Sequence, residues 1–362
     1  MKVLANLSAS ATRRRTIRTW GLGILLAAVA ILTAPQVALL QTTSEPASTA
    51  SSMLPQTNSP RRGLHVHDPS TIMRDGDEFW LFSTGRGVVS RRSTNLVNWS
   101  AGPPVFAQLP ASVTNFLPAH RGWLWAPDLI RLNNRWLLYY SISEFGKNTS
   151  AIAVATNPTL DPEAPNFAWR DEGTVVTSSA TNNFNAIDPA LFLDNDGRLW
   201  MAFGSFWSGI KMIELDPDTG KRIAPDSPQY SLAWIKSIEA AALIKRNGHY
   251  FLFVNWGTCC RGTNSTYEIR VGRASKVTGP YRDRDDRDLR DGGGTLFMVT
   301  EGPRIGPGHA SVLREGANEY VSFHFYDGTR GGTPTLGIRR LEWDADGWPE
   351  AGAWVYPPPA SN

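Results

Sequence analysis

Residues 187–205 read IDPALFLDNDGRLWMAFGS, and this pattern decides the fold. Two short runs, ALFL and LWMAF, flank an Asp-Gly turn, and that is hairpin chemistry, because Asn, Asp and Gly accept the positive φ that a tight turn requires. A polar anchor, Asp188 followed by Pro189, stands before the first run. Working outward, the same unit recurs in STIMRDGDEFWLFSTG, DLIRLNNRWLLYYS, ALIKRNGHYFLFVNWG and SVLREGANEYVSFHFYD. Each of these hairpins also follows a polar anchor: HDPS at Asp68, WAPD at Asp128, IEAA at Glu239 and GPGH at His309.

With Asp188 included, successive anchors lie 60, 60, 51 and 70 residues apart. No long stretch has helical periodicity, so the chain reads as all-β. A recurring multi-strand unit of this length is the signature of a β-propeller, and five repeats predict five blades. Innermost strands of a propeller ring a central channel, so the anchors are expected to converge there. Acidic side chains at four of five equivalent positions then repel one another, and function or a cation has to offset that.

The 362 residues are 41% hydrophobic with 14 Trp, enough for a packed core. The formal charge is +3, but Lys2, Arg13, Arg14, Arg15 and Arg18 precede the first acidic residue. Removing residues 1–41 leaves a charge of roughly −2, which gives no reason to expect a nucleic-acid partner. Those residues read as an export signal, with a basic stretch, an apolar run from Trp20 to Leu32 and small residues after it, or as an uncleaved signal anchor. The expected destination is secreted or periplasmic, with membrane attachment only if the segment stays uncleaved. Residues 42–62 are Ser-, Thr- and Pro-rich and read as a linker, leaving 63–362 as the propeller. Nothing in the sequence signals oligomerisation, and a monomer is expected. The only cysteines, Cys259 and Cys260, are adjacent, so no disulfide framework holds the fold together. Their expected role is structural or as a cleft wall, with a vicinal disulfide as one form.

Beyond the anchors, the segments NAIDPALFLDNDGRLWMAFGSFWSGIK (185–211), CCRGTNSTYEIRVGRASKVTGPY (259–281) and GPGH (306–309) resemble glycoside hydrolase family 43, and within it the endo-1,5-α-L-arabinanases. The resemblance spans residues 63–356. It implies a five-bladed propeller that inverts anomeric configuration on arabinan or arabino-oligosaccharides. It assigns Asp68 as general base, Glu239 as general acid and Asp188 as the carboxylate that adjusts the acid's pKa and orients the sugar. Such chemistry needs an acid that protonates the leaving oxygen and a carboxylate that deprotonates water on the opposite face. The chain departs from the family at Glu239-Ala240-Ala241, where a proline commonly follows the glutamate by two residues; a looser strand start is expected, with the acid retained.

The resemblance further implies calcium, contacted by His309 at the propeller centre and otherwise largely by water; a neutral, hydrogen-bonded histidine is the alternative. Trp125, Phe206 and Trp207 are candidate sugar-stacking platforms, or core residues. Asn185, Ser205 and Asp128 are candidates to hydrogen-bond sugar hydroxyls or the carboxylates, or else satisfied turn residues. Two other functions fit the sequence: an exo-acting α-L-arabinofuranosidase or β-xylosidase on the same fold, and a non-catalytic carbohydrate-binding propeller. Many exo-acting relatives carry an added β-sandwich after the propeller, and this sequence has no room for one before Asn362, which favours endo action.

Overall fold

A computed structural model describes residues 63–358. The expected export signal and linker lie outside them. The described chain is a five-bladed β-propeller. Four blades are antiparallel sheets of four strands each, with innermost strands Met73–Asp75, Ala190–Leu193, Ile238–Arg246 and Arg304–Glu315. The second blade, with Trp123–Leu132 innermost of its own four, gains a fifth strand when Gly85–Arg86, from the loop between the first blade's second and third strands, pairs at Leu124 and Trp123.

The hairpins form where the turn residues predict them. Asn133 and Asn134 both take positive φ (49° and 58°), as do Asn247 and Gly248 (48° and 79°), the pairing that a two-residue hairpin requires. Apolar alternation then fills the spaces between blades. Five buried clusters occupy the five blade interfaces, among them Trp80 with Trp136 and Tyr140 between blades one and two, and Phe251 with Phe323 between blades four and five. Each such side chain contributes roughly 1.5–3 kcal/mol by leaving water.

The ring closes through the first described residues. His65 bridges Thr335, Val66 donates to the Pro334 carbonyl, and Leu336 donates to that of Leu64. Blade five is thereby tied to the segment that leads into blade one, and Asp68 is fixed at the seam.

Candidate active site

Each innermost strand has the same unusual residue just before it or within it. Asp68, Ala126, Asp188, Ala240 and His309 all have positive φ, from 42° to 59°, one residue per blade. At three of these positions the strand pairing slips, between Trp125 and Asp128, Glu239 and Ala242, and Gly308 and Ser311. A non-glycine residue held left-handed costs about 1–3 kcal/mol, and such bulges turn side chains away from the sheet towards a site.

This register corrects the expected equivalence of the five anchors. Asp68 and Asp188 do match, and His309 matches them, but Ala126 and Ala240 are their counterparts in blades two and four. Glu239 lies one residue before that position and Asp128 two after it. Asp128 is therefore no member of a carboxylate ring. It is buried, its Oδ1 accepts from Thr71 N (3.0 Å) in blade one and its Oδ2 from Leu191 N (2.8 Å) in blade three. With both oxygens bound to backbone, Asp128 is a strut across three blades in place of the expected sugar or carboxylate contact. It borders a central cavity of about 80 Å3 formed by residues 69–71, 127–128, 189–191, 241–243 and 309–312.

The left-handed residues are joined blade to blade. Ala126 N donates to Thr84 Oγ1 (2.8 Å), Asp188 N to Ser141 Oγ (3.0 Å), His309 N to Asn255 Oδ1 (2.8 Å) and Asp68 N to His324 Nδ1 (3.1 Å). In each case the acceptor lies in the second strand of the preceding blade or, for Thr84, directly after it. At the fifth joint Ala240 N donates instead to Asp188 Oδ2 (3.1 Å). Ser205, which follows blade three's second strand, is thereby left to donate to Glu239 Oε2 (2.7 Å).

Asp68 sits among imidazoles. Its Oδ2 accepts from Thr84 Oγ1 (2.6 Å) and meets His67 Nδ1 at 2.8 Å, while Oδ1 faces His309 Nδ1 at 3.5 Å and His324 Nδ1 at 3.7 Å. Burial opposes the carboxylate's charge, but the charge and hydrogen bond of His67 outweigh it and hold Asp68 well below the usual carboxylate range. Burial likewise opposes the charge on His67, yet Asp68 raises its pKa above the ordinary value. His67 also stacks on His324, with ring centroids 4.1 Å apart, and its Nε2 meets Tyr326 Oη at 2.9 Å.

Glu239 and Asp188 show the opposite behaviour. Both are buried, and burial raises both pKa values. Glu239 and Asp68 add their negative charge at Asp188, and Asp68 adds its charge at Glu239. Hydroxyls of Tyr267 and Ser205 donate to Glu239 and moderate the rise. The site thus holds one carboxylate kept ionised and a buried pair, Glu239 and Asp188, that favours a shared proton, the charge on either member favouring the proton on the other; this is the division that acid and base catalysis by carboxyl groups requires. At the position of the missing proline, Ile238, Glu239, Ala240 and Ala241 are all buried, and the strand they begin slips in its pairing between Glu239 and Ala242.

Asn185 is buried, and its Oδ1 accepts no hydrogen bond among the described residues. Phe206 and Trp207 follow Ser205 directly, and Phe206 N donates to the Ile238 carbonyl (2.7 Å), which places this loop against the acid. Trp207 is 41% exposed, and its carbonyl accepts from the indole of exposed Trp234 (2.9 Å). At blade two Trp125, one residue before Ala126, has its ring centroid 5.1 Å from that of exposed Phe145 and lines an open cavity of about 310 Å3 together with exposed Trp123.

Sequence reading missed His67, Thr84, Tyr267, His324 and Tyr326. His67 and Tyr267 carried a signal, since one adjoins Asp68 and the other lies in the quoted 259–281 segment. His324 and Tyr326 come from a second strand, and Thr84 directly follows one; alternation there predicts burial and nothing more.

His67, Asp68 and His324 lie close enough to share an ion, but His324 Nδ1 already accepts the Asp68 N–H. His324 is neutral through burial, its remaining proton is on Nε2, and neither nitrogen can bind a metal. His309 is also kept neutral by burial, as a metal ligand must be, and no ring hydrogen bond of His309 occurs among the described residues beyond the approach to Asp68. A single imidazole suits an ion whose shell is mostly water and does not make a calcium cage.

With this geometry in hand, the profile of glycosyl hydrolases family 43 matches residues 61–349. An extracellular exo-α-(1→5)-L-arabinofuranosidase of Cellvibrio japonicus is 39% identical, over 79% of this chain and 86% of its own. An extracellular endo-α-(1→5)-L-arabinanase of Bacillus subtilis is 38% identical, over 78% and 87%. The solved structure of a Cellvibrio cellulosa α-L-arabinanase complexed with arabinohexaose is similar with a TM-score of 0.77 at 38% identity, covering 80% of this chain and 96% of that one. Five blades, three inward carboxylates in opposed electrostatic states and a profile match across most of the chain lead to one assignment: the protein belongs to glycosyl hydrolase family 43.

Proposed function

We propose that the protein is a secreted, inverting endo-1,5-α-L-arabinanase. The observation that carries the reading is the division of the carboxylates. Glu239, whose pKa burial raises, donates its proton to the leaving glycosidic oxygen, while Asp68, held ionised by His67, takes a proton from the attacking water. Asp188 grips Ala240 N and adds the negative charge that favours the proton on Glu239. The names of the Cellvibrio and Bacillus relatives support arabinan as substrate and export as the route.

Endo action is supported by exposed aromatic residues beside two blades, Trp123 and Phe145 at blade two and Trp207 and Trp234 at blade three, which offer a sugar chain more than one surface to lie on. An exo reading has the Cellvibrio relative behind it. The deciding experiment is digestion of debranched linear arabinan. Endo cleavage drops the viscosity early and releases a ladder of oligosaccharides; release of a single product from the outset, with viscosity retained, assigns exo action, and no release at all refutes the hydrolase.

Calcium belongs to the same proposal, held by His309 in the channel with water filling the rest of its shell. When bound it would supply positive charge among the carboxylates. Chelation, and His309→Ala, are each expected to lower the melting temperature, because an ion bound only by the folded state stabilises it. Elemental analysis that finds no calcium, with melting unaffected by chelation, removes the metal.

A further inference from the structure

The loop between strands His249–Trp256 and Glu268–Ala274 touches the partners of both carboxylates. It ends at Tyr267, which donates to Glu239, and it begins with a disulfide between Cys259 and Cys260. Cys260 is exposed at the rim; its N–H donates to Tyr326 Oη (2.7 Å), and its Sγ lies 3.7 Å from His67 Nε2. An inverting hydrolase has no use for sulfur here.

We propose that Cys259, Cys260 and His67 form a latent site for a thiophilic divalent cation such as zinc, opened by reduction of the disulfide, whose occupation withdraws Asp68 from hydrolysis. Three observations support it. One donor atom from each of the three residues lies within 4.8 Å of the others. Tetrahedral zinc, with arms of about 2.3 Å to sulfur and 2.0–2.1 Å to nitrogen, places S and N roughly 3.6 Å apart, and Cys260 Sγ and His67 Nε2 stand 3.7 Å apart. Finally, His67 is already oriented as a ligand. Its Nδ1 is 2.8 Å from Asp68 Oδ2, and a carboxylate on one imidazole nitrogen is the arrangement that presents the other to a metal.

The chemistry balances. A phosphine reductant cleaves the S–S bond and with water yields phosphine oxide and two thiols. The cation then displaces the two thiol protons and the Nε2 proton of His67 to buffer, and two thiolates with one neutral imidazole leave the complex uncharged. The sulfurs have to separate to about 3.8 Å, the tetrahedral edge for two such arms. Tyr326 gives up Nε2 and keeps the Cys260 N–H. Asp68 then faces a metal-bound, neutral His67, with the ion on the rim beside it.

The test uses the full chain, oxidised or reduced with phosphine that is afterwards removed. Cobalt(II) added to the reduced protein is expected to give a thiolate-to-metal charge-transfer band that saturates at one ion per chain and is lost to zinc; the oxidised protein gives none. Zinc is expected to lower arabinan hydrolysis by the reduced protein at least tenfold, reversibly on chelation, and to leave the oxidised protein unaffected. The band has to vanish in Cys259→Ser/Cys260→Ser, or, should that variant not fold, in reduced wild type blocked with N-ethylmaleimide. No band in the reduced protein, or equal inhibition of both forms, overturns the site; a band without inhibition overturns its hold on Asp68. The activity arm rests on the hydrolase reading and the binding arm does not, so the two can fail separately.

Discussion

Two blade joints, built from the same left-handed residue, set opposite chemistry. Where blade five meets blade one, Asp68 N is received by the neutral ring of His324, and imidazoles surround the carboxylate. Where blade three meets blade four, Ala240 N is received by a carboxylate, Asp188, and the hydrogen bonds to the Glu239 carboxylate among the described residues come from hydroxyls. The backbone is common to both, and the neighbours decide whether a proton is held or refused. A repeating scaffold thus needs only one altered joint to produce an acid opposite a base. Ser205 shows how that alteration works. Relieved of the position that Thr84, Ser141, Asn255 and His324 hold at the other joints, it turns to the acid.

The largest effects should come from removing the two groups the joints hold apart. Glu239→Gln is expected to lower kcat/KM on arabinan by about 10²- to 10⁴-fold, and much less on an aryl arabinoside, whose phenolate leaves without a proton. Asp68→Asn should depress both substrates alike, since water has to be activated whichever group departs. Equal losses on both substrates for Glu239→Gln would erase the distinction between the joints. So would retention of the anomeric configuration in the first product, followed by nuclear magnetic resonance.

Much of this was legible in the sequence. Turn pairs such as Asn133-Asn134 and Asn247-Gly248 announce their hairpins because few other residues tolerate positive φ at both positions, and five announced hairpins fixed the blade count. Asp68, Asp188 and Glu239 were found because each stands before a repeated hairpin, and the resemblance to glycoside hydrolase family 43 singled them out from the other anchors. Register was harder. HDPS, WAPD and IDPA each contain Asp and Pro, but Pro127 precedes its aspartate whereas Pro69 and Pro189 follow theirs, and that reversal moves Asp128 two residues along its strand. Nor could local pattern disclose the histidine environment, since His324 is more than 250 residues from Asp68 and meets it only through ring closure.

The displacement of Asp128 predicts the next effect. As a strut it satisfies two backbone amides in neighbouring blades, and Asp128→Ala would orphan Thr71 N and Leu191 N at about 1–3 kcal/mol each, offset in part by no longer burying a carboxyl group. A net loss of about 2–4 kcal/mol in urea unfolding is expected. Asp128→Asn should recover part of it, because one oxygen can accept while the amide nitrogen faces a second donor. Loss below about 0.5 kcal/mol, together with weakened sugar binding, would return Asp128 to the cleft.

The smallest effect reads the acid's joint by its pH profile. Glu239 acts in its protonated form, so activity falls as pH rises through its pKa, and the basic limb reports that value. Tyr267 donates to the ionised carboxylate and thereby lowers a pKa that burial raises. Tyr267→Phe removes the donor, and the limb should move to higher pH by about one to two units, the equivalent of a charge-assisted hydrogen bond of roughly 1.5–3 kcal/mol. Asp188→Asn should move the limb the other way. Its amide oxygen can still accept from Ala240 N, keeping the joint, while the negative charge that favours a proton on Glu239 is gone. Shifts of opposite sign at constant substrate affinity separate electrostatics from packing. If both variants moved the limb in the same direction, Glu239 would not be the group it reports, and the proton at the blade three–four joint would have to be assigned to Asp188 instead.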